Sequence, residues 1–208
     1  MPSTALVLVA ANDESAHVDE IAPRLFLGNA AFASSRECLA KSGITHVVTA
    51  AQTDGFGALF PESFTYHVLP IEDSRDAPIA DLLPGSAEFI DGVLRESGSA
   101  CAGGAEASSG AVLVHCKMGT SRSAAVVIHY LMTKRAFTLR GALLHIMRVR
   151  SASPRAPYTH PNIGFLRELI RVEAALRGPR AVSLTLEDYV RDFSTGKNLA
   201  EEPGHCAP

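Results

Sequence analysis

The chain has 208 residues, 47% of them hydrophobic and 20% charged, and a formal net charge of -3. Those values suit one globular domain with a full core and added tails, and they give no electrostatic footing for wholesale nucleic-acid binding. The four cysteines (Cys38, Cys101, Cys116 and Cys206) form neither a C-x-x-C pair nor a Cys/His metal cluster, and they suit a reducing compartment.

Ala5 to Ala11 is apolar but too short to span a bilayer and lacks a basic start. Residues 1–16 therefore read as a poorly specified leader, and the expected location is cytoplasmic. Asp19 to Gly28 reads as two short strands meeting at Pro23. Ser34 or Ser35 caps a helix to about Lys41, which Gly43 ends. Ile44 to Ala50, rich in β-branched residues, reads as a buried strand.

Gln52 to Phe60 holds two glycines and reads as a loop, and Phe64 to Pro70 as a further strand. A polar loop follows over Ile71 to Pro78. Asp81 is the expected cap of a helix to about Arg95, with Pro84 in its first turn and Leu83, Ile90 and Leu94 on its apolar face. Ser97 to Gly110 is rich in Ser, Ala and Gly and reads as a flexible insertion, with Cys101 as an incidental thiol.

Val112 to Ser123 then carries an apolar run into His115-Cys116, a loop containing Gly119, and an Arg122-Ser123 pair that opens Ala124 to Ile128. This pattern predicts strand, loop, helix. Loop amides and a helix N-terminus converge in such a turn on a point suited to an anion. Amide dipoles and a guanidinium there favour thiolate over thiol at Cys116. Arg122 has the planar fork that pairs two phosphate oxygens, and the Ser123 hydroxyl is within reach of the sulfur. The plain alternative is a buried structural cysteine before an ordinary helix. Two acidic residues on the upstream loop, Asp73 and Asp76, stand open as proton donors or as solvated turn residues.

That helix is expected to end near Lys134-Arg135. Thr138 caps the next, to about Arg148, and Ser151 to Pro161 is an exposed loop with three prolines. Asn162 caps a last core helix to Arg177, stopped by Gly178-Pro179. The domain is therefore expected over 17–178, with 179–208 as a C-terminal tail holding one short helix around Leu186 to Phe193. Arg75, Lys117, Arg148, Arg150 and Arg155 are basic residues available to an acidic substrate rim, or simply solvated. His129 reads as core or surface rather than a ligand.

His115-Cys116 through Arg122-Ser123 resembles the phosphate-binding loop of the cysteine-dependent protein phosphatases, and more narrowly the dual-specificity class, whose loops commonly read G-x-S-R-S. Lys117-Met118-Gly119 is also similar to the slingshot-type subfamily. Glu20-Ile21 with Pro23 to Gly28, Glu72-Asp73, Tyr130-Leu131-Met132 and Pro161-Asn162-x-Gly164-Phe165 extend the resemblance over most of 17–178. It implies an α/β fold, a central mixed, twisted sheet of about five strands covered by helices, as in protein tyrosine phosphatases. It implies Cys116 as nucleophile, Asp73 as acid and then base, and Ser123 as an aid to breakdown of a cysteinyl-phosphate. Phosphate is implied to sit on Lys117, Met118, Gly119, Thr120, Ser121 and Arg122, with His115 and Asn162 in support. Met118 stands where the class commonly has a small residue. The implied substrate is a phosphorylated protein, carrying phosphotyrosine or phosphoserine/threonine, with no cofactor and no metal. The alternatives are the same chemistry on a non-protein phosphate monoester, or a catalytically silent phosphopeptide-binding protein.

Overall fold

A computed structural model of the chain describes residues 15–52, 57–96, 110–153 and 158–193. The expected insertion (97–109 of it), Cys101, Arg155 and Cys206 lie outside those residues.

Strands β1 (Val18–Ala22) and β2 (Leu25–Asn29) form an antiparallel hairpin across Pro23-Arg24, where Arg24 takes φ 65°. Two short helices follow, α1 (Ala30–Ala33) and α2 (Arg36–Lys41). Only α2 is expected from the sequence; Ser35 caps it, and Gly43 at φ 68° releases the chain into β3 (Ile44–Ala50). Helix α1 spans four residues and starts when the Asn29 side chain accepts from the Phe32 N–H. Strand β4 (Thr65–Leu69) leads through the polar loop into α3 (Leu83–Glu96). Because α3 begins at Leu83, Asp81 lies one position too early to be its cap.

Strand β5 (Ala111–Cys116) then inserts between β2 and β3, parallel to both, giving the order β1-β2-β5-β3-β4. Its six residues are all buried, since both faces of the sheet are covered. Alternation along the strand sorts them: Val112, Val114 and Cys116 join the larger core, and Ala111 and Leu113 the smaller one beneath α1 and α2. The larger core is closed by α3, α4 (Arg122–Lys134), α5 (Leu139–Ser151), α6 (Ile163–Arg177) and α7 (Leu186–Phe193). This is the expected α/β architecture.

The segment after Gly178, expected as tail, packs on the domain as far as Phe193. Leu184, Tyr189 and Phe193 enter the larger core, and buried Glu173 accepts from the N–H of Ser183 at 2.8 Å and of Leu139 at 2.7 Å. Among the described residues no helix is long and apolar enough to cross a membrane.

Candidate active site

Strand β5 ends at Cys116, which is 2% exposed. The chain then crosses Lys117 to Ser121 and enters α4. Three loop carbonyls are taken by donors from outside: Lys117 by the Ala30 N–H at 3.1 Å, Gly119 by Arg150 Nη1 at 2.6 Å, and Thr120 by the His160 N–H at 2.9 Å. A trans peptide holds its C=O and N–H on opposite sides, so outward carbonyls turn the N–H groups of Met118, Thr120 and Ser121 inward. The Gly119 N–H donates directly to Cys116 Sγ at 3.2 Å.

Gly119 sits at φ 70°, and a Cβ there would lie 2.6 Å from the Gly28 carbonyl oxygen. Only glycine combines that conformation with that approach.

Ser121 occupies the cap position of α4, yet its side chain makes no capping bond. Its hydroxyl donates instead to Asp73 Oδ1 at 2.8 Å. Helices α2, α5 and α6 are capped by Ser35, Thr138 and Asn162, so α4 alone among these presents its first amides without a side-chain cap. Free amides and the positive end of the helix dipole make this end a seat for an anion.

Ser123, fully buried in the first turn of α4, donates through Oγ to Cys116 Sγ at 3.2 Å. With Gly119, it gives the sulfur two donors. Arg122 leans toward the opposite loop, its Nε 3.6 Å from Asp73 Oδ2. Asp73 Oδ1 also accepts from Asn162 Nδ2 at 2.9 Å. Asn162 caps α6 through its Oδ1, donates through its side chain to the Ser74 carbonyl, and donates its own N–H to Ser121 Oγ. Thus Cys116, Gly119, Ser121, Arg122, Ser123, Asp73 and Asn162 meet at one place. Asp76 is exposed and instead lines, with Gln52 and Glu72, a neighbouring cavity of about 260 Å³.

His115 points to the other side of β5 from Cys116, and its Nε2 pairs with Thr49 Oγ1 at 3.0 Å on β3. Burial, aided by the Arg122 charge, pushes its pKa down to about 4. The neutral ring anchors the strand end and brings no charge to the sulfur. Lys117 and Met118 are exposed, Met118 at 55%, and Thr120 is half-buried.

Arg150 is not a substrate-facing residue, because its side chain is 2% exposed beneath the loop. It binds Asp19 Oδ2 at 3.2 Å, Thr159 Oγ1 at 3.2 Å and the Gly119 carbonyl. Burial raises the Asp19 pKa, and the adjacent guanidinium offsets part of that rise. Arg75 and Arg148 are exposed, as either a substrate rim or a solvated role requires, and His129 is a buried core residue whose pKa burial pushes down to about 4.

Residues 25–175 match the family model described as dual specificity phosphatase, catalytic domain. The chain is 33% identical to protein phosphatase Slingshot homolog 3 of Rattus norvegicus over 199 residues, 95% of this chain and 26% of that protein. It therefore spans about a quarter of the length of its Slingshot relatives. It is 33% identical to dual specificity protein phosphatase 1 of Arabidopsis thaliana over 74% of this chain and 67% of that one. Among solved structures, the human tyrosine phosphatase-like serine/threonine/tyrosine-interacting protein superposes with TM-score 0.63 at 34% identity, covering 76% of this chain and 97% of that one. Human DUSP28 gives TM-score 0.63 at 29% identity, over 81% and 99%. A buried cysteine under loop amides, a matched catalytic-domain model and this fold agree, and the chain belongs to the dual specificity phosphatase family.

Proposed function

We propose that the chain is a protein phosphatase that hydrolyses phosphotyrosine and phosphoserine/threonine through a cysteinyl-phosphate, without a metal. The observation that carries this reading is the pair of donors on Cys116 Sγ, from Gly119 and Ser123, at the mouth of a loop whose carbonyls are held outward. That surrounding stabilises a sulfur that acts as an anion and leaves as one.

In the first step Cys116 Sγ attacks phosphorus, the P–O bond to the substrate breaks, and Asp73 gives its proton to the departing oxygen. Inward amides of the loop and the Arg122 fork hold the three equatorial oxygens, where transition-state charge gathers. Arg122 turns from Asp73 Oδ2 to the phosphoryl oxygens as substrate arrives. In the second step Asp73, now a carboxylate, takes a proton from water as it attacks the cysteinyl-phosphate. Ser123 Oγ steadies the sulfur as it departs. Protein donors supply the charge stabilisation, so the scheme calls on no metal. A reducing compartment such as the cytoplasm suits a working thiol, and Cys38 and Cys116 are both free.

Hydrolysis of unsubstituted phenyl phosphate, whose leaving group needs protonation, tests the scheme in excess chelator. Cys116→Ser abolishes turnover, and Asp73→Ala lowers it by about 100-fold or more. Activity that survives Cys116→Ser, or needs added metal, sinks it. The likeness to the human tyrosine phosphatase-like serine/threonine/tyrosine-interacting protein favours one second reading, in which the site binds phosphopeptide without turnover. Retention of intact phosphopeptide by the wild-type chain, with no phosphate release, selects that reading.

A further inference from the structure

Gly164, in the first turn of α6, lies against the loop that carries Asp73. A Cβ built there would stand 1.9 Å from the Arg75 carbonyl oxygen, 2.6 Å from its carbon and 2.8 Å from its Cα. These are backbone atoms, which cannot swing aside as a side-chain end can. Two residues before, Asn162 donates to Asp73 Oδ1 and to the Ser74 carbonyl. Residues 73, 74 and 75 thus rest in succession on the start of α6. Asn162 draws the loop in, and the bare Cα of Gly164 lets it arrive.

We propose that Gly164 is a positioning residue for the proton donor: it sets how closely the Asp73 loop approaches Cys116 and Arg122. The inference rests on the reading of Asp73 as the donor. Any side chain at 164 forces the Arg75 carbonyl back by about 1 Å or more to reach ordinary contact, and displacements of that size cost about 100-fold in rate where geometry is critical. Helix formation does not ask for glycine here, because alanine is the better helix former.

The experiment compares the 208-residue chain with Gly164→Ala, in the wild-type and in the Asp73→Asn background. The substrates are a nitrophenyl phosphate, whose leaving group needs little protonation, and an alkyl phosphate, whose leaving group needs it fully. Gly164→Ala is expected to lower kcat/KM, which reports the steps through formation of the cysteinyl-phosphate and not its hydrolysis, by about 10- to 100-fold on the alkyl phosphate and by no more than about threefold on the nitrophenyl phosphate. The alkaline limb of the pH profile, which reports the donor, flattens. In the Asp73→Asn background the substitution adds no further loss, and the melting temperature does not fall.

Unchanged alkyl phosphate hydrolysis overturns the proposal. So does an equal loss on both substrates, a loss that persists without Asp73, or a melting temperature lower by several degrees, which would put the clash in the core. Asp73→Asn alone leaving alkyl phosphate hydrolysis untouched removes the donor assignment itself, a result read without any change at 164.

Discussion

Arg150 stands 3.2 Å from Asp19 through Nε and 2.6 Å from the Gly119 carbonyl through Nη1, so one buried cation ties the first strand to the loop holding Cys116. Removing it as Arg150→Met strands the Asp19 carboxylate and is expected to cost about 3–5 kcal/mol. Adding Asp19→Asn returns much of that stability, since the uncompensated charge is gone, but kcat stays low because the Gly119 carbonyl has lost its donor. Urea titrations and turnover on the two single variants and the double variant check this. Recovery of full activity in the double variant would contradict it.

Gly119→Ala meets two penalties at once. Alanine at φ 70° costs roughly 1 kcal/mol, and the Cβ contact with the Gly28 carbonyl adds to it. The loop shifts rather than the sheet, and the amide on the sulfur moves with it. Loss of kcat/KM by about 100-fold or more is expected, with a modest fall in melting temperature.

Stability should fall steeply in mild acid. Burial holds His17, His115 and His129 neutral, each with its pKa lowered from 6.5 to about 4, and Arg150 adds to the effect at His17. Between those values the unfolded chain binds protons that the folded chain refuses. Stability is therefore full above about pH 6.5 and drains as pH drops toward 4, by about 1.4 kcal/mol per pH unit for each histidine. Asp19, whose pKa burial raises, works in the opposite sense at the acid end. Urea midpoints at pH 7.5, 6 and 5 measure the slope, and His129→Gln should reduce it by less than a third, since burial lowers the His67 pKa as well. A flat profile would show that the rings titrate in the folded chain.

Helix α7 is expected to be part of the folding unit. Tyr189 is 1% exposed and its hydroxyl donates to the Pro161 carbonyl at 3.0 Å, next to the residue that caps α6. Tyr189→Phe should cost about 1 kcal/mol, the worth of one hydrogen bond. Ending the chain at Arg177 removes three core side chains and should cost at least about 4 kcal/mol. Thermal melts of both variants decide it; an unchanged melting temperature in the shortened chain would make α7 an ornament.

Local chemistry made most of the fold legible. Ser35, Thr138 and Asn162 each cap where a small polar residue precedes an apolar stripe, and Ile44 to Ala50 forms a strand with the bounds its β-branched residues indicate. Helix α1 escaped because four residues show no period, and it depends on an Asn29 side chain that also receives the His17 N–H. At the site, the closeness of Cys116, Arg122 and Ser123 was legible because they share one strand-loop-helix turn. Arg150 was misread, although Leu139, Ala142, Leu143, Ile146 and Met147 mark its face of α5 as buried. A cation closing an apolar stripe was the signal that it had a partner. The Gly164 contact joins positions 89 residues apart and leaves no local trace.

Strand order has a consequence for how the molecule is made. β5 lies between β2 and β3, so a ribosome that has delivered the first 110 residues has released two strand pairs with nothing to join them. The piece that unites them is the one ending at the reactive sulfur. The strand that joins the two halves of the sheet is therefore the strand that carries the nucleophile, while the loop around the sulfur is completed only by Arg150, His160 and Asn162 from segments that follow.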